Sequence, residues 1–155
     1  WSSDVCSSDL MNAELIEQVV ATGAKWYRFD EGDVAMAVAA ATPGSGIDMM
    51  IGIGGNPEGV LAAVAVQVLG GFMQGRLATR DEQEVRAAIE CGYSPTEKLE
   101  LDDLVKPGRN VFVLAGVTPG ILADEVKIGA DGVAHVEVFV LDSQISGHRL
   151  VQLRR

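Results

Sequence analysis

Two stretches of this sequence share one pattern, and that pattern restricts the fold more than any other feature. In "DEGDVA" (30–35) and "GIGGNPEG" (52–59), an apolar segment of strand length ends in a turn of acidic residues and glycine, and a helix-forming segment follows. Strands that alternate with helices in this way favour right-handed crossovers and parallel neighbours. Both turns are then expected at the carboxyl ends of strands, where sheets of this kind usually bind ligands.

The other segments extend this pattern to the order α-β-α-β-α-α-β-α-β-β. Helical spacing and end signals predict helices in "AELIEQVVA", "DVAMAVAAA", "NPEGVLAAVAVQV" and "DEQEVRAAIE", with a short helix allowed in "PGILADEVKIG". Asp33 and Asn56 are the predicted N-caps, and Glu58 then takes the second helical position. "AKWYRF", "GIDMMIGIG" and "NVFVLAGV" are predicted strands, and residues 134–155 alternate as a hairpin about Ser146 and Gly147. The predicted fold is α/β, with one mixed, largely parallel sheet flanked by helices and closed by a C-terminal antiparallel hairpin.

The first ten residues do not follow this pattern. "WSSDVCSSDL" has no periodicity, repeats Ser-Ser-Asp, lacks the basic region and apolar run of a signal peptide, and resembles translated adapter sequence. We expect residues 1–10 to be non-native and disordered, so that their deletion leaves the melting temperature unchanged. Residues 11–155 are the expected domain, and the missing initial methionine suggests the tail of a longer protein.

Charge and composition exclude several classes of function. The formal net charge is −10, whereas nucleic-acid binding needs a clustered basic surface, so no nucleic-acid partner is expected. No stretch reaches the ~20 apolar residues of a transmembrane helix, so no membrane partner is expected. Cys6 and Cys91 have neither CxxC spacing nor companion histidines, which favours a reduced, cytoplasmic protein.

Glu58 stands beside the glycine turn and has two interpretations. Glycines let the backbone approach a ligand closely, and the free N–H groups at a helix start suit a phosphate or a sugar hydroxyl. A carboxylate in the first helical turn is stabilised by the helix dipole, and it could bind a divalent metal that bridges protein and phosphate. Equally, Glu58 could only cap its own helix. Pro57 replaces the third glycine of a dinucleotide fingerprint, and the Gly-Lys-Ser/Thr of a P-loop is absent.

The sequence around both turns resembles a known family. "PGSGID", "GIGGNPEGVLAA", "MQGRL", "LDDLV" and "AGVTPG" are similar to the C-terminal half of class II fructose-1,6-bisphosphatases, which have the lithium-sensitive sugar-phosphatase fold. The resemblance runs from about Ala13 to the end. It implies the C-terminal domain (11–155) of a cytoplasmic, Mg²⁺- or Mn²⁺-dependent enzyme that hydrolyses the 1-phosphate of fructose 1,6-bisphosphate in gluconeogenesis. A homo-oligomer is expected.

The resemblance also implies roles for particular residues. Matching positions make Glu31, Gly32, Asp33 and Gly55 substrate-binding residues, with Glu31 in place of an aspartate, and they make Glu58 a metal ligand. The remaining metal carboxylates and the general base belong to the N-terminal half of the family. No catalytic residue is therefore expected in this chain, and we expect the 155-residue chain to be inactive alone.

Three departures from the family pattern leave alternatives open. Phe72 stands where an acid is expected, and Ala115 and Pro119 replace the threonine and aspartate of "TGVTDG". Glu31, Phe72 and Pro119 are compatible with a degenerate paralogue that binds sugar phosphate without hydrolysing it. A third interpretation, an α/β interaction domain, requires the two turns to lie far apart in space.

Overall fold

The computed structural model describes residues 4–7, 13–29 and 32–154, which form an α/β domain. Its helices and strands follow one another in the order β1 (Asp4–Ser7), α1 (Ala13–Ala21), β2 (Lys25–Arg28), α2 (Asp33–Ala40), β3 (Met49–Ile51), α3 (Asn56–Val68), β4 (Gln74–Gly75), α4 (Glu82–Glu90), β5 (Leu99–Glu100), α5 (Leu101–Leu104), β6 (Val111–Ala115), β7 (Lys127–Ile128), β8 (Ala134–Asp142) and β9 (Ile145–Arg154). The α/β class is confirmed, and so are the helices predicted at α1 to α4.

Glycines set the starts of α2 and α3, and both N-cap predictions are wrong by one residue. Gly32 precedes α2 with φ +96°, a left-handed conformation that favours glycine, so Asp33 is the first helical residue. Gly55 precedes α3 with an extended backbone, which places Asn56 first and Pro57 second. Proline is tolerated in a first helical turn because its missing N–H has no partner there in any case. Glu58 is therefore the third helical residue.

The described strands form three sheets, so the prediction of one largely parallel sheet is wrong. A three-stranded sheet has the order β2-β1-β3, and both of its pairings are parallel. β4 and β5 form a short antiparallel pair. The largest sheet is antiparallel, with β8 hydrogen-bonded to β6 and β7 along one edge and to β9 along the other. Strand β6 follows a helix but pairs with β8, because the hairpin supplies the apolar neighbour that β6 needs.

The closing hairpin of β8 and β9 is confirmed, but its turn is not at Ser146 and Gly147. The turn lies at Ser143 and Gln144, where Asp142 Oδ1 accepts a hydrogen bond from the Gln144 N–H at 2.9 Å. Contacts with Asn110 hold it from outside the hairpin. The Ser143 N–H donates to the Asn110 carbonyl, and the Asn110 N–H donates to Ser143 Oγ, both at 3.0 Å.

Two further predictions about local structure need correction. Asp4–Ser7 form the middle strand of the parallel sheet, so disorder is wrong for these four residues. The rest of the first ten residues lie outside the described part of the chain. The short helix allowed in "PGILADEVKIG" is not formed, and Lys127–Ile128 is strand β7 instead.

The core lies between the paired helices α2 and α3 and one face of the antiparallel sheet. Its buried members are Val38, Ala65, Phe112, Phe139 and Leu141. The alanine-rich buried side of α3 lets its backbone approach α2 closely, and the two helices are in contact along their lengths. In the part of the chain that the structure describes, no helix combines the length and the apolar character that crossing a membrane requires.

Candidate active site

The starts of helices α2 and α3 lie side by side. A methyl group added to Gly54, in the turn before α3, would lie 3.0 Å from Asp33 Oδ2 at the start of α2. The two turns singled out by their shared sequence pattern are therefore neighbours, as that pattern predicts. The interpretation as an interaction domain required distant turns, and it loses its basis.

The Glu58 carboxylate lies over the same glycine turn. A methyl group on Gly55 would overlap Glu58 Oε2, and one on Gly54 would lie 4.0 Å from Glu58 Cβ. Asp33 and Glu58 thus both lie against Gly54, from the two helix starts. The absence of a Cβ at Gly54 and Gly55 is what leaves room for both carboxylates.

Helix capping by a hydrogen bond does not explain the position of Glu58. Elsewhere in the chain, Asp81 Oδ1 accepts the N–H groups of Gln83 and Glu84 at 2.9 Å, and a capping box begins α5. Among the hydrogen bonds of the described residues, none has the side chain of Glu58 or Asp33 as a partner. Both carboxylates retain their capacity to accept, at helix starts whose dipoles favour negative charge.

The other predicted site residues are placed only in part. Gly32 is exposed at the N-cap of α2, and its carbonyl accepts the Met36 N–H at 3.0 Å. Gly55 takes the same position at α3, and its carbonyl accepts the Gly59 N–H at 3.0 Å. Glu31 lies outside the described residues. The structure therefore brings Asp33, Gly55 and Glu58 to one place beside Gly32.

The carboxylate pair fits a divalent cation as part of a ligand set. Mg²⁺ and Mn²⁺ prefer carboxylate oxygens, but they take about six ligands. Within the described residues, no three His, Cys, Asp or Glu side chains are grouped so that they could hold a metal. Two carboxylates can supply only part of such a site, so the remaining ligands must come from other groups.

The family resemblance assigns Asp33 to the substrate and does not pair it with Glu58. The signal for that pairing was present, because both turns join a strand to a helix with an acid in the first helical turn. What the sequence lacks is the distance between the turns, which depends on the packing of α2 against α3. Phe72, one of the departures from the family pattern, is 78% exposed.

Ion pairs on the surface displace the pKa values of several exposed groups. Arg80 holds the pKa of Glu84 below its usual range by hydrogen bonding to it, and Asp124 raises the pKa of Lys127 in the same way. Hydrogen bonds from Lys98 and, to a smaller extent, from Gln74 lower the pKa of Glu100. These groups are in exposed pairs on the surface, which is the ordinary setting of stabilising ion pairs.

The fold is that of an α/β protein in which two helix starts, each with a glycine turn and a carboxylate, lie side by side. The family is more specific. Residues 10–155 match the family described as bacterial fructose-1,6-bisphosphatase, glpX-encoded, and the chain belongs to that family. The match begins after β1, so Asp4–Ser7 lie outside it.

Individual relatives carry the corresponding names. The chain is 38% identical over 121 residues to a fructose-1,6-bisphosphatase class 2 of Haemophilus influenzae. The aligned residues make up 70% of this chain and 36% of that protein. It is 36% identical over 133 residues to a D-fructose 1,6-bisphosphatase class 2/sedoheptulose 1,7-bisphosphatase of Synechococcus, covering 76% and 40%. A protein of the same name from Prochlorococcus marinus is 32% identical over 146 residues, covering 84% and 44%. The chain thus spans less than half the length of each of these relatives.

Proposed function

We propose that this chain is the C-terminal part of a cytoplasmic, metal-dependent phosphatase that hydrolyses the 1-phosphate of fructose 1,6-bisphosphate in gluconeogenesis. The observation that carries the proposal is the meeting of Asp33 and Glu58 at the Gly54 turn, in a chain of the bisphosphatase family. Sedoheptulose 1,7-bisphosphate is a related substrate class, since the names of two relatives include it. The active form is expected to be a homo-oligomer.

In this proposal the two helix starts bind the substrate. The exposed N–H groups around Gly32 and Gly55 donate to phosphate or sugar oxygens, and Asp33 accepts from a sugar hydroxyl; Glu31 is assigned to the same surface. Glu58 is a ligand of Mg²⁺ or Mn²⁺, which when bound stabilises the charge of the transferred phosphoryl group. Water adds to phosphorus, the bond to the C1 oxygen breaks, and the products are inorganic phosphate and fructose 6-phosphate.

The groups that complete this reaction come from outside the chain. The described residues provide one pair of carboxylates at the site, whereas a divalent ion takes about six ligands. The 155-residue chain alone is therefore expected to release no phosphate from fructose 1,6-bisphosphate. Metal-dependent turnover by the purified chain would contradict this division of the site.

The metal role of Glu58 can be tested in the chain itself. Mn²⁺ broadens the NMR signals of amides close to its binding site, so low Mn²⁺ should first broaden those of Asp33, Gly54, Gly55, Asn56 and Glu58. Glu58→Gln keeps the shape but removes the charge, and at least tenfold more Mn²⁺ should then be needed. Glu82→Gln is the matched control, because Glu82 also lies in a first helical turn, that of α4.

Two results separate the possible outcomes. The same Mn²⁺ requirement in wild type and Glu58→Gln, with the control also unchanged, would exclude Glu58 as a ligand. For hydrolysis, this chain is fused to the part of the Haemophilus influenzae protein that it does not match. Phosphate release is then measured with this chimera. A chimera that binds fructose 1,6-bisphosphate but releases no phosphate at saturating Mg²⁺ or Mn²⁺ would favour the degenerate binder, which the exposed Phe72 and the residues Ala115 and Pro119 make the second candidate.

A further inference from the structure

The four-stranded antiparallel sheet has two apolar faces, and among the described helices only α3 packs against it, on one of those faces. On the inner face, Phe112 and Leu114 of β6 pair with Leu141 and Phe139 of β8, and all four pack against the core or belong to it. Helix α3 contacts both strands on this side. The inner face is therefore the ordinary helix-covered side of a sheet.

The opposite side of the sheet, which we name the outer face, is apolar as well. Residues directly opposite one another in an antiparallel ladder lie on the same face, and successive residues alternate. Val113 pairs with Val140, Val138 with Val151, and Ile128 with Ala134. The outer face is lined by Val111, Val113, Ile128, Val138, Val140 and Val151.

Several of these side chains are exposed to solvent. Val113 is 59% exposed, Ile128 68%, Val111 47% and Val151 39%, whereas Val138 in the central strand β8 is buried at 7%. Among the described helices, only α3 makes more than a marginal contact with β6 or β8, and it does so on the inner face. A single exposed valine is common on a protein surface, but a contiguous apolar patch across four strands marks a surface that another element covers.

The sequence of β6 agrees with burial on both sides. An antiparallel strand with one face in water alternates apolar and polar residues, whereas "VFVLA" has no polar residue at all. At the end of this face Asp142 forms an ion pair with Arg109 at 3.4 Å, and in the edge strand β9 the residue opposite Val140 is Arg149. An apolar centre with a charged rim is the usual arrangement of a protein interface.

We propose that the outer face packs against the part of the polypeptide that longer members of the family have and this chain lacks. The chain covers 36%, 40% and 44% of three relatives, so more than half of each has no counterpart here. The inference rests on family membership and chain length, and it is independent of the proposed catalysis.

The apolar character of the outer face suits this assignment. Apolar contact needs no matching charge from the partner, in keeping with a face whose centre is valine and isoleucine. The outer face thus serves as an internal domain interface of the longer protein.

The experiment uses the intact 155-residue chain, tagged and co-expressed with the unmatched part of the Haemophilus influenzae relative. The amount of that segment retained with the tagged chain is measured after purification. Val113→Lys changes the centre of the outer face, and lysine is well tolerated in edge strands such as β6. Val20→Lys is the matched control, because Val20 is 51% exposed on α1, outside the antiparallel sheet.

Wild type and Val20→Lys should retain the segment in a 1:1 ratio, and Val113→Lys should retain at least tenfold less. Circular dichroism establishes that each variant is folded, and Val111→Lys replaces Val113→Lys if the latter is not. Failure of the wild type to retain the segment would overturn the proposal, as would equal retention by all variants. Concentration-dependent dimerisation of the chain that Val113→Lys abolishes would assign the face to a second copy instead.

Discussion

Replacing Gly55 by alanine should displace the Glu58 carboxylate while leaving the fold almost as stable as before. The backbone of Gly55 has φ −67° and ψ 156°, a conformation open to every residue, so the substitution causes no backbone strain. The added methyl group overlaps Glu58 Oε2, which is the end of a flexible side chain. The carboxylate must therefore move away from the turn.

The expected change in the free energy of unfolding is the difference of small terms. When alanine can adopt the backbone conformation of the glycine it replaces, it stabilises the folded protein by ~0.4–1 kcal/mol, because it reduces the conformational entropy of the unfolded chain. Alanine is a poorer N-cap than glycine by about 0.5–1 kcal/mol, and the displaced Glu58 side chain costs up to ~1.5 kcal/mol if it leaves a preferred rotamer. The sum ranges from about 0.5 kcal/mol of stabilisation to about 2 kcal/mol of destabilisation.

Urea unfolding followed by circular dichroism measures this stability, and Mn²⁺ broadening of amide signals measures metal binding. Mn²⁺ affinity of Gly55→Ala should fall at least tenfold. Gly59→Ala, one turn into α3 with no atom within 4 Å of the added methyl, should stabilise the chain by ~0.5–1 kcal/mol and leave Mn²⁺ binding unchanged. Unchanged Mn²⁺ affinity in Gly55→Ala would refute the argument that this glycine keeps the place of the carboxylate open.

Three further perturbations test the fold and its surface pairs. Phe112→Ala, at a core position 5% exposed, should destabilise by ~3–5 kcal/mol in urea unfolding, and a loss below 1 kcal/mol would show that the sheet does not pack on α3 as described. Arg80 keeps the pKa of Glu84 below its ordinary 4.5, so their pair stabilises above that pH and its contribution is lost as the pH falls through the lower folded pKa. The melting temperature of Glu84→Gln should thus be lower than that of wild type at pH 7 and equal to it once Glu84 is protonated; a difference that persists in acid would contradict the pair. Deleting residues 1–9 should lower the melting temperature, because β1 is the middle strand of its sheet, and no change would favour the expectation from the sequence.

Local chemistry determined much of what the sequence could predict. The start of α3 is specified by Gly55, Pro57 and Glu58 within four positions, and its end by the glycine pair that follows, with Gly70 at φ +70°. The family is identifiable for a similar reason, since its motifs are contiguous runs of residues. The two-turn pattern also sufficed to predict that the helix starts share one site.

Pairing between strands was beyond the reach of such signals. The pattern of β6 shows that it is apolar on both sides, but not that β8 is its antiparallel partner, nor that one face stays uncovered. The hairpin turn was predicted three residues late, because its position depends on hydrogen bonds between Ser143 and Asn110, 33 residues apart. Sequence signals of turn type favoured a serine and glycine instead.

The sequence by itself determined the helices, the glycine turns and the acids placed beside them, because capping, backbone freedom and periodicity act over a few residues. The tertiary structure decided that Asp33 lies against the glycine turn that also contacts Glu58, that the described strands divide into separate sheets, and that one apolar sheet face has no described helix on it. Each of these depends on which distant segments bury their apolar surfaces together. The free energy of that burial depends on both of the segments that pack together. The sequence of one segment therefore does not specify which other segment it packs against.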